Sequence, residues 1–191
     1  MSVSLNKGDR VELSKDSRVN AVSVCLGWDT AKYDDEDFDL DASAFVIGRN
    51  GMTRRDEDFI FYNNLQHPSG GITHSGDNLT GGGDGDDEVI KVVLNKLPKY
   101  AEKFVFCVTI HEAERRMQDF GMVENSFIRV VDDNTGREIA RYDLKEKFGD
   151  STAIIAGEIY RDGSGWKFHA VGDGFNGGLF DLCEKFGIEV K

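Results

Sequence analysis

The stretch Gly76-Asp77-Asn78-Leu79-Thr80-Gly81-Gly82-Gly83-Asp84-Gly85-Asp86-Asp87-Glu88 constrains this chain more than any other. Its glycines admit positive φ and so allow the backbone to fold back tightly on itself. Asp77, Asp84, Asp86, Asp87 and Glu88 are then crowded into one small volume. Two like charges ~4 Å apart repel by about 1 kcal/mol in water, and by about 4 kcal/mol at the effective dielectric of a protein surface. Such a loop closes poorly unaided. A hard cation reverses the sign of the problem, because Ca²⁺ takes roughly 6–8 oxygens from carboxylates, carbonyls and water. A second acidic stretch, Asp34-Asp35-Glu36-Asp37-Phe38-Asp39-Leu40-Asp41, lies upstream. The expectation is that the two stretches meet around Ca²⁺. The competing reading is a solvated acidic loop, as charge runs usually are; a solubility patch, however, has no need of interleaved glycines.

The rest of the composition narrows the partners. A formal charge of −12 over 191 residues disfavours nucleic acid and anionic membrane surfaces, both of which call for basic patches. Hydrophobic residues, at 39%, suffice for a packed core. Cys25, Cys107 and Cys183 form no C-x-x-C pair and read as reduced core residues. The first residues lack the apolar run of a signal peptide and the glycine needed for myristoylation. The longest apolar run, Phe104 to Ile110, is too short to span a bilayer. These features lead to the expectation of a cytoplasmic protein without direct membrane insertion.

Period-2 patterns dominate the chain. Val3 to Leu13 suggests two short strands joined at Lys7-Gly8-Asp9. Val22, Val24, Leu26 and Trp28 share one face of a half-buried strand. Further strands are expected through Ala42–Val46, Phe59–Tyr62, Val89–Leu94 and Phe104–Ile110, with a hairpin turn signal at Asn50-Gly51. Two hairpins follow, turning at Asp133–Gly136 and at Asp162-Gly163. Ala113 to Gln118 suits a helical turn. Near the end the period changes: Leu179, Leu182, Cys183 and Phe186 fall at helical spacing, and Gly187 is placed as a stop. With no linker in sight, the pattern predicts residues 1–191 as one mainly β domain: a two-sheet β-sandwich with one or two short helices, including one near the C-terminus.

Several catalytic and metal templates fail. No Lys follows the glycines as a P-loop requires, and an EF-hand would need Glu at position twelve. Gly82 to Ile90 fits a single calcium-binding nonapeptide repeat, too few to build that solenoid. His111-Glu112 lacks the second His of a zinc protease. His67, His74 and His169 read as surface or hydrogen-bonded side chains, and Trp28 and Trp166 as core. Asp39-Leu40-Asp41-Ala42-Ser43 resembles the nucleophile motif of haloacid-dehalogenase-type phosphatases, but it opens a strand where that motif ends one.

Other motifs, in order along the chain, resemble signatures of the TerD-domain family of tellurium-resistance and stress-response proteins. They are Gly27-Trp28-Asp29, Phe38–Ser43, Phe61-Tyr62-Asn63-Asn64, Gly76–Thr80, Gly85–Glu88, Phe127-Ile128-Arg129, Glu158–Arg161, Trp166–Gly172 and Gly177-Gly178-Leu179. The resemblance implies a cytoplasmic, non-enzymatic β-sandwich binding two Ca²⁺ ions between loops at one end. It also implies resistance to tellurite and other stresses, with protein partners in a complex near the membrane. Many relatives carry Glu where this chain has Gly82. Carried over onto this chain, Asp37, Asp39, Asp77, Asp86, Asp87 and Glu88 are the carboxylate ligands. Asp41 shares a strand face with Asp39, and a strand-edge acid is an equal reading of it. Asn78, like Asn63 and Asn64, offers an amide oxygen or shapes a turn. Gly82 offers a carbonyl, and Asp84 either a ligand or a solvent-facing acid. Two alternatives accompany this reading: a metal-dependent phosphatase or hydrolase using the acidic cluster, and a small-ligand module of the cyclic-nucleotide-binding kind. A phosphate would reach the latter through bound Ca²⁺ or through Arg129 and Arg161.

Overall fold

The computed structural model of the chain describes residues 2–14, 19–29, 38–76, 86–144 and 148–190. Among them, twelve strands form two six-stranded sheets. In order across the first sheet lie β1 (Val3–Leu5), β10 (Arg137–Asp143), β9 (Glu124–Asp132), β3 (Ala21–Asp29), β7 (Glu88–Val93) and β6 (Ile72–His74). The second holds β2 (Arg10–Glu12), β12 (Gly165–Phe175), β11 (Ala153–Asp162), β8 (Lys103–Ile110), β4 (Leu40–Ile47) and β5 (Phe59–Ile60). The expected β-sandwich is the fold.

Alternation sorts the side chains. Val22, Val24, Leu26 and Trp28 of β3 meet Leu40, Ala42, Ala44 and Val46 of β4 in the core between the sheets. β8 is apolar on both faces because both are covered. Phe104, Phe106, Val108 and Ile110 face the sandwich core, while Val105 and Cys107 join a second core with Phe45 and Ile47. That second core is closed by α2 (Gly178–Phe186), whose Leu182, Cys183 and Phe186 are buried. Burying Leu182 and Phe186 contributes about 1.5–3 kcal/mol each. The helix ends at Gly187, φ +81, where only glycine is free of strain. A one-turn helix, α1 (Ala113–Arg116), follows β8.

The first two strands do not pair with each other. β1 runs parallel to β10, with Val3 opposite Ala140, whereas β2 runs antiparallel to β12, with Arg10 opposite His169. Lys7-Gly8-Asp9 therefore crosses from one sheet to the other. Asn50-Gly51 does turn the chain tightly, the Gly51 N–H donating to the Gly48 carbonyl at 3.0 Å and the Gly48 N–H to the Met52 carbonyl at 2.9 Å, but a 3₁₀ turn at Asp56–Asp58 intervenes before β5 returns to pair with β4. β5 stops at Ile60 because Asn64 bonds back to Phe61 in both directions.

One glycine is fixed by packing. The β11–β12 register shifts between Ile155 and Gly157. A Cβ at Gly157 would sit 2.5 Å from the Phe168 ring and 3.1 Å from the His169 carbonyl oxygen. Gly157→Ala is expected to destabilise by about 1–3 kcal/mol, the usual cost of overpacking. A urea midpoint unchanged from wild type would contradict that.

Beneath the 48–58 connection lies a buried polar network. Asp58, with no exposed surface, accepts from the Arg54 backbone N–H at 2.8 Å and from the Tyr100 hydroxyl, and stands 3.0 Å from His67 Nε2. Burial by itself pushes the Asp58 carboxyl up, but the bonds from His67, Tyr100 and Arg54 outweigh it and hold the group below the ordinary range. An acid depressed in the folded state adds stability above its unfolded pKa, and that stability is lost as pH falls through the folded pKa. Chemical denaturation from pH 6 downward should therefore show wild type losing stability more steeply below pH ~4 than Asp58→Asn. Parallel acid limbs would refute the assignment.

Candidate functional site

The described ends of the acidic stretches, 38–41 and 86–88, meet where β4 and β7 begin, beside the end of β3. Gly27 has no side chain, and the Phe127 ring occupies the space where a Cβ would stand. The β3–β9 register shifts between Gly27 and Asp29. Just there, the Trp28 N–H donates to Asp87 Oδ2 at 2.9 Å, and the Asp87 N–H donates to the Leu26 carbonyl at 2.9 Å. Asp29 accepts from Asn125 Nδ2 at 2.7 Å. Burial first, and then the charges of Asp29, Asp86 and Glu88, hold the Asp87 carboxyl above the usual carboxylate range. The backbone bond from Trp28 pulls the other way and does not prevail.

Glu88 turns inward. With only 1% of its surface exposed, it accepts from the Ala42 backbone N–H and lies 3.4 Å from His74 Nε2. The same His74 nitrogen is 3.0 Å from the Ala42 carbonyl, while its Nδ1 accepts from the Gly76 N–H. That bond leaves Nε2 as the protonated nitrogen, donating to Ala42. β5 covers β4 only as far back as Ala44, so the Ala42 peptide lies on an uncovered stretch of edge. Glu88 and His74 from the facing sheet clamp it. Burial alone would lower the His74 pKa, but Glu88, the Ala42 carbonyl and the Asp41 charge together raise it.

Asp86 turns the opposite way. Arg129 grips it with both prongs, Nε to Oδ1 at 2.8 Å and Nη2 to Oδ2 at 2.7 Å, and extends Nη1 to Glu138 at 3.1 Å. This bidentate pair lies on the outer face of the first sheet, over buried Cys25. Burial, and then the Asp86 charge, push the Cys25 thiol up to about 12, so it offers no thiolate.

On the other sheet, Asp39 stands 3.8 Å from Arg116, and its carbonyl accepts from the His111 N–H. Asp41 lies 3.8 Å from His111, on the outer face of β4, and helps line a cleft with Thr109 and the start of α2. The structure thus brings Asp87, Asp29 and the stems of both acidic stretches together. It separates Asp41, on one outer face, from Asp86, on the other, with Glu88 between the sheets. Asp37, Asp77, Asn78, Gly82 and Asp84 lie outside the described residues. Among the described residues, no group of three or more His, Cys, Asp or Glu is arranged to hold a metal. The side chains whose charges bear on Asp87 are carboxylates, the ligand type that a hard cation such as Ca²⁺ would take. The adjacent imidazole has both nitrogens engaged by backbone, so the site offers no soft ligand of the kind Zn²⁺ favours.

These features define a class: a β-sandwich with carboxylates gathered at one end of its strands. Residues 1–186 match the TerD domain, and the chain belongs to that family. It is 52% identical over the full length of both chains to tellurium resistance protein TerD of Serratia marcescens. It is likewise 50% identical to general stress protein 16U of Bacillus subtilis. Among solved structures, a homologue of telluride resistance protein (TerD) from Streptomyces coelicolor superposes with a TM-score of 0.70 at 25% identity, covering 86% of this chain and 95% of that one. No helix among the described residues is long and apolar enough to cross a membrane.

Sequence reasoning overlooked the clamp at Ala42 and the role of Arg129. His74 carried one usable signal, its place on a strand immediately before the glycine-acid stretch. Arg129 carried none, since its partner Asp86 is distant in the chain. Both its outer nitrogens bond carboxylates, so a phosphate there would compete with Asp86 and Glu138.

Proposed function

We propose that this chain is a non-enzymatic calcium-binding protein of the tellurite-resistance and stress-response type. It works in the cytoplasm by presenting a metal-ordered surface to protein partners. One observation carries the reading: Asp87 is partly buried beside Asp29, Asp86 and Glu88, all of one sign, and burial together with those charges holds its carboxyl above the usual range. A bound cation offsets this crowding of like charge. Asp87, Asp29 and Asp39 are the described carboxylates best placed to hold it, joined by Asp37, Asp77, Asn78, Asp84 and the Gly82 carbonyl from the two stretches. Two ions are expected across that donor set. Calcium suits it better than magnesium, which demands a tight octahedron and keeps its water. The relatives named for tellurium resistance and general stress support the cellular role.

Titration calorimetry on chelator-treated protein tests the proposal. Wild type should bind Ca²⁺ well above any response to Mg²⁺. Asp87→Asn should weaken binding more than Asp86→Asn, because Asp86 already has Arg129. Absence of calcium heat in wild type, or identical isotherms for wild type and Asp87→Asn, would overturn it.

A further inference from the structure

At the end of the sandwich opposite Asp87, the turn Gly48–Asn50 with Arg54, Lys99, Tyr100 and Glu102 lines a cleft of about 410 Å³. Three of its side chains are cations and one is an acid, in a chain of net charge −12. Arg49 is paired with Glu102 at 3.1 Å. Among the described residues, Arg54 and Lys99 have no carboxylate partner, although acids outnumber bases 35 to 23. The Arg54 guanidinium lies over the Tyr100 ring, 4.6 Å from its centroid.

Both halves of that stack are fastened to one buried group. Asp58 accepts from the Arg54 backbone at 2.8 Å and from the Tyr100 hydroxyl, while His67, also buried, holds Asp58 from behind at 3.0 Å. Ser69 in turn bonds His67 Nδ1 at 2.8 Å. A buried acid–imidazole pair is not a cheap way to hold a loop, since apolar side chains of equal volume often do as well. What this pair provides that they would not is a fixed aromatic platform with a guanidinium lying on it.

We propose that the cleft is a binding site for a phosphate monoester, its phosphoryl group held between Arg54 and Lys99. A dianion matches the two unpartnered cations in charge. A planar guanidinium beside a compact ammonium is the pairing that phosphoryl oxygens favour. The cleft volume lies within the range of small-molecule sites and leaves room for the organic part beside the 48–51 turn. The site lies at the far end of the strands from Asp87, so its occupancy does not depend on the calcium reading.

The full-length protein, kept in chelator, is titrated with glycerol 3-phosphate, with inorganic phosphate, and with glycerol as the uncharged control. Amide resonances of residues 48–51 and calorimetry are followed together. The expected result is saturable binding of the ester, weaker binding of phosphate, none of glycerol, and an affinity that falls as sodium chloride is added. Arg54→Gln combined with Lys99→Gln, both on exposed side chains, should weaken the ester by about tenfold or more without changing the melting temperature. Tyr100→Phe keeps the ring but cuts its tie to Asp58, and should give a smaller loss. Equal binding by wild type and the double variant overturns the proposal, as does the lack of saturation by about 10 mM ester, weaker than any useful site. Sedimentation showing that the cleft instead holds the acidic end of a second copy, undisturbed by the ester, overturns it as well.

Discussion

Calcium at a hundredfold excess over its dissociation constant should raise the melting temperature of the chelator-treated protein by roughly 5–11 °C. One site at that occupancy adds about 2.7 kcal/mol to the folded state. For a chain of this size each kcal/mol moves the midpoint by about 2–4 °C, and a second ion would add to the shift. Asp87→Asn supplies the sharper test because its effect changes sign with the metal. Without calcium the variant relieves repulsion among Asp29, Asp87 and Glu88 while keeping an oxygen for the Trp28 N–H, so it should melt above wild type. With calcium it should gain less than wild type does. Scanning calorimetry with and without chelator measures all four values. If the variant is destabilised equally in both conditions, Asp87 is merely a structural acceptor.

Glu88→Ala is expected to have the largest effect of any substitution at this end, and to have it with or without calcium. The side chain is 1% exposed and holds the Ala42 N–H against the facing sheet. Its removal strands a buried amide, leaves His74 beside an empty space, and frees one edge of β4. Breaking a buried charged contact of this kind costs about 3–5 kcal/mol, a fall in melting temperature of roughly 6–20 °C. Glu88→Gln, which keeps an acceptor for Ala42, should recover part of the loss. A stability change seen only in the presence of calcium would move Glu88 from the clamp to the ligand set.

Much of this fold was legible because one pattern recurs. Strands with a clean alternation, such as β3, show their inward face directly. β8, apolar on both faces, announces a layer on each side, and Leu182, Cys183 and Phe186 supply the second layer. The three-residue strands β1 and β2 are too short to carry a pattern, so their divergence into separate sheets had to come from the structure. At the site, composition revealed that acids gather but not where each one points. Asp86, Asp87 and Glu88 are adjacent in the chain, yet they face an arginine on an outer surface, a backbone amide at the strand end, and the space between the sheets. A local bulge and a long-range arginine decide that. The opposite cleft was illegible for a similar reason. Arg54 and Lys99 look like ordinary surface residues until the fold gathers them with Tyr100 around one cleft.

The crossing of Lys7-Gly8-Asp9 between the sheets has a consequence for synthesis. Arg10 finds its partner at His169, and Val3 finds its own at Ala140. β1 and β2 are thus synthesised long before the strands they pair with, and dock late. A nascent chain leaves β1 and β2 unpaired until β10 and β12 have emerged. Such distant pairings are slow to form, and through that interval the newborn molecule depends on its own dense negative charge to keep neighbouring chains from adding to those strands.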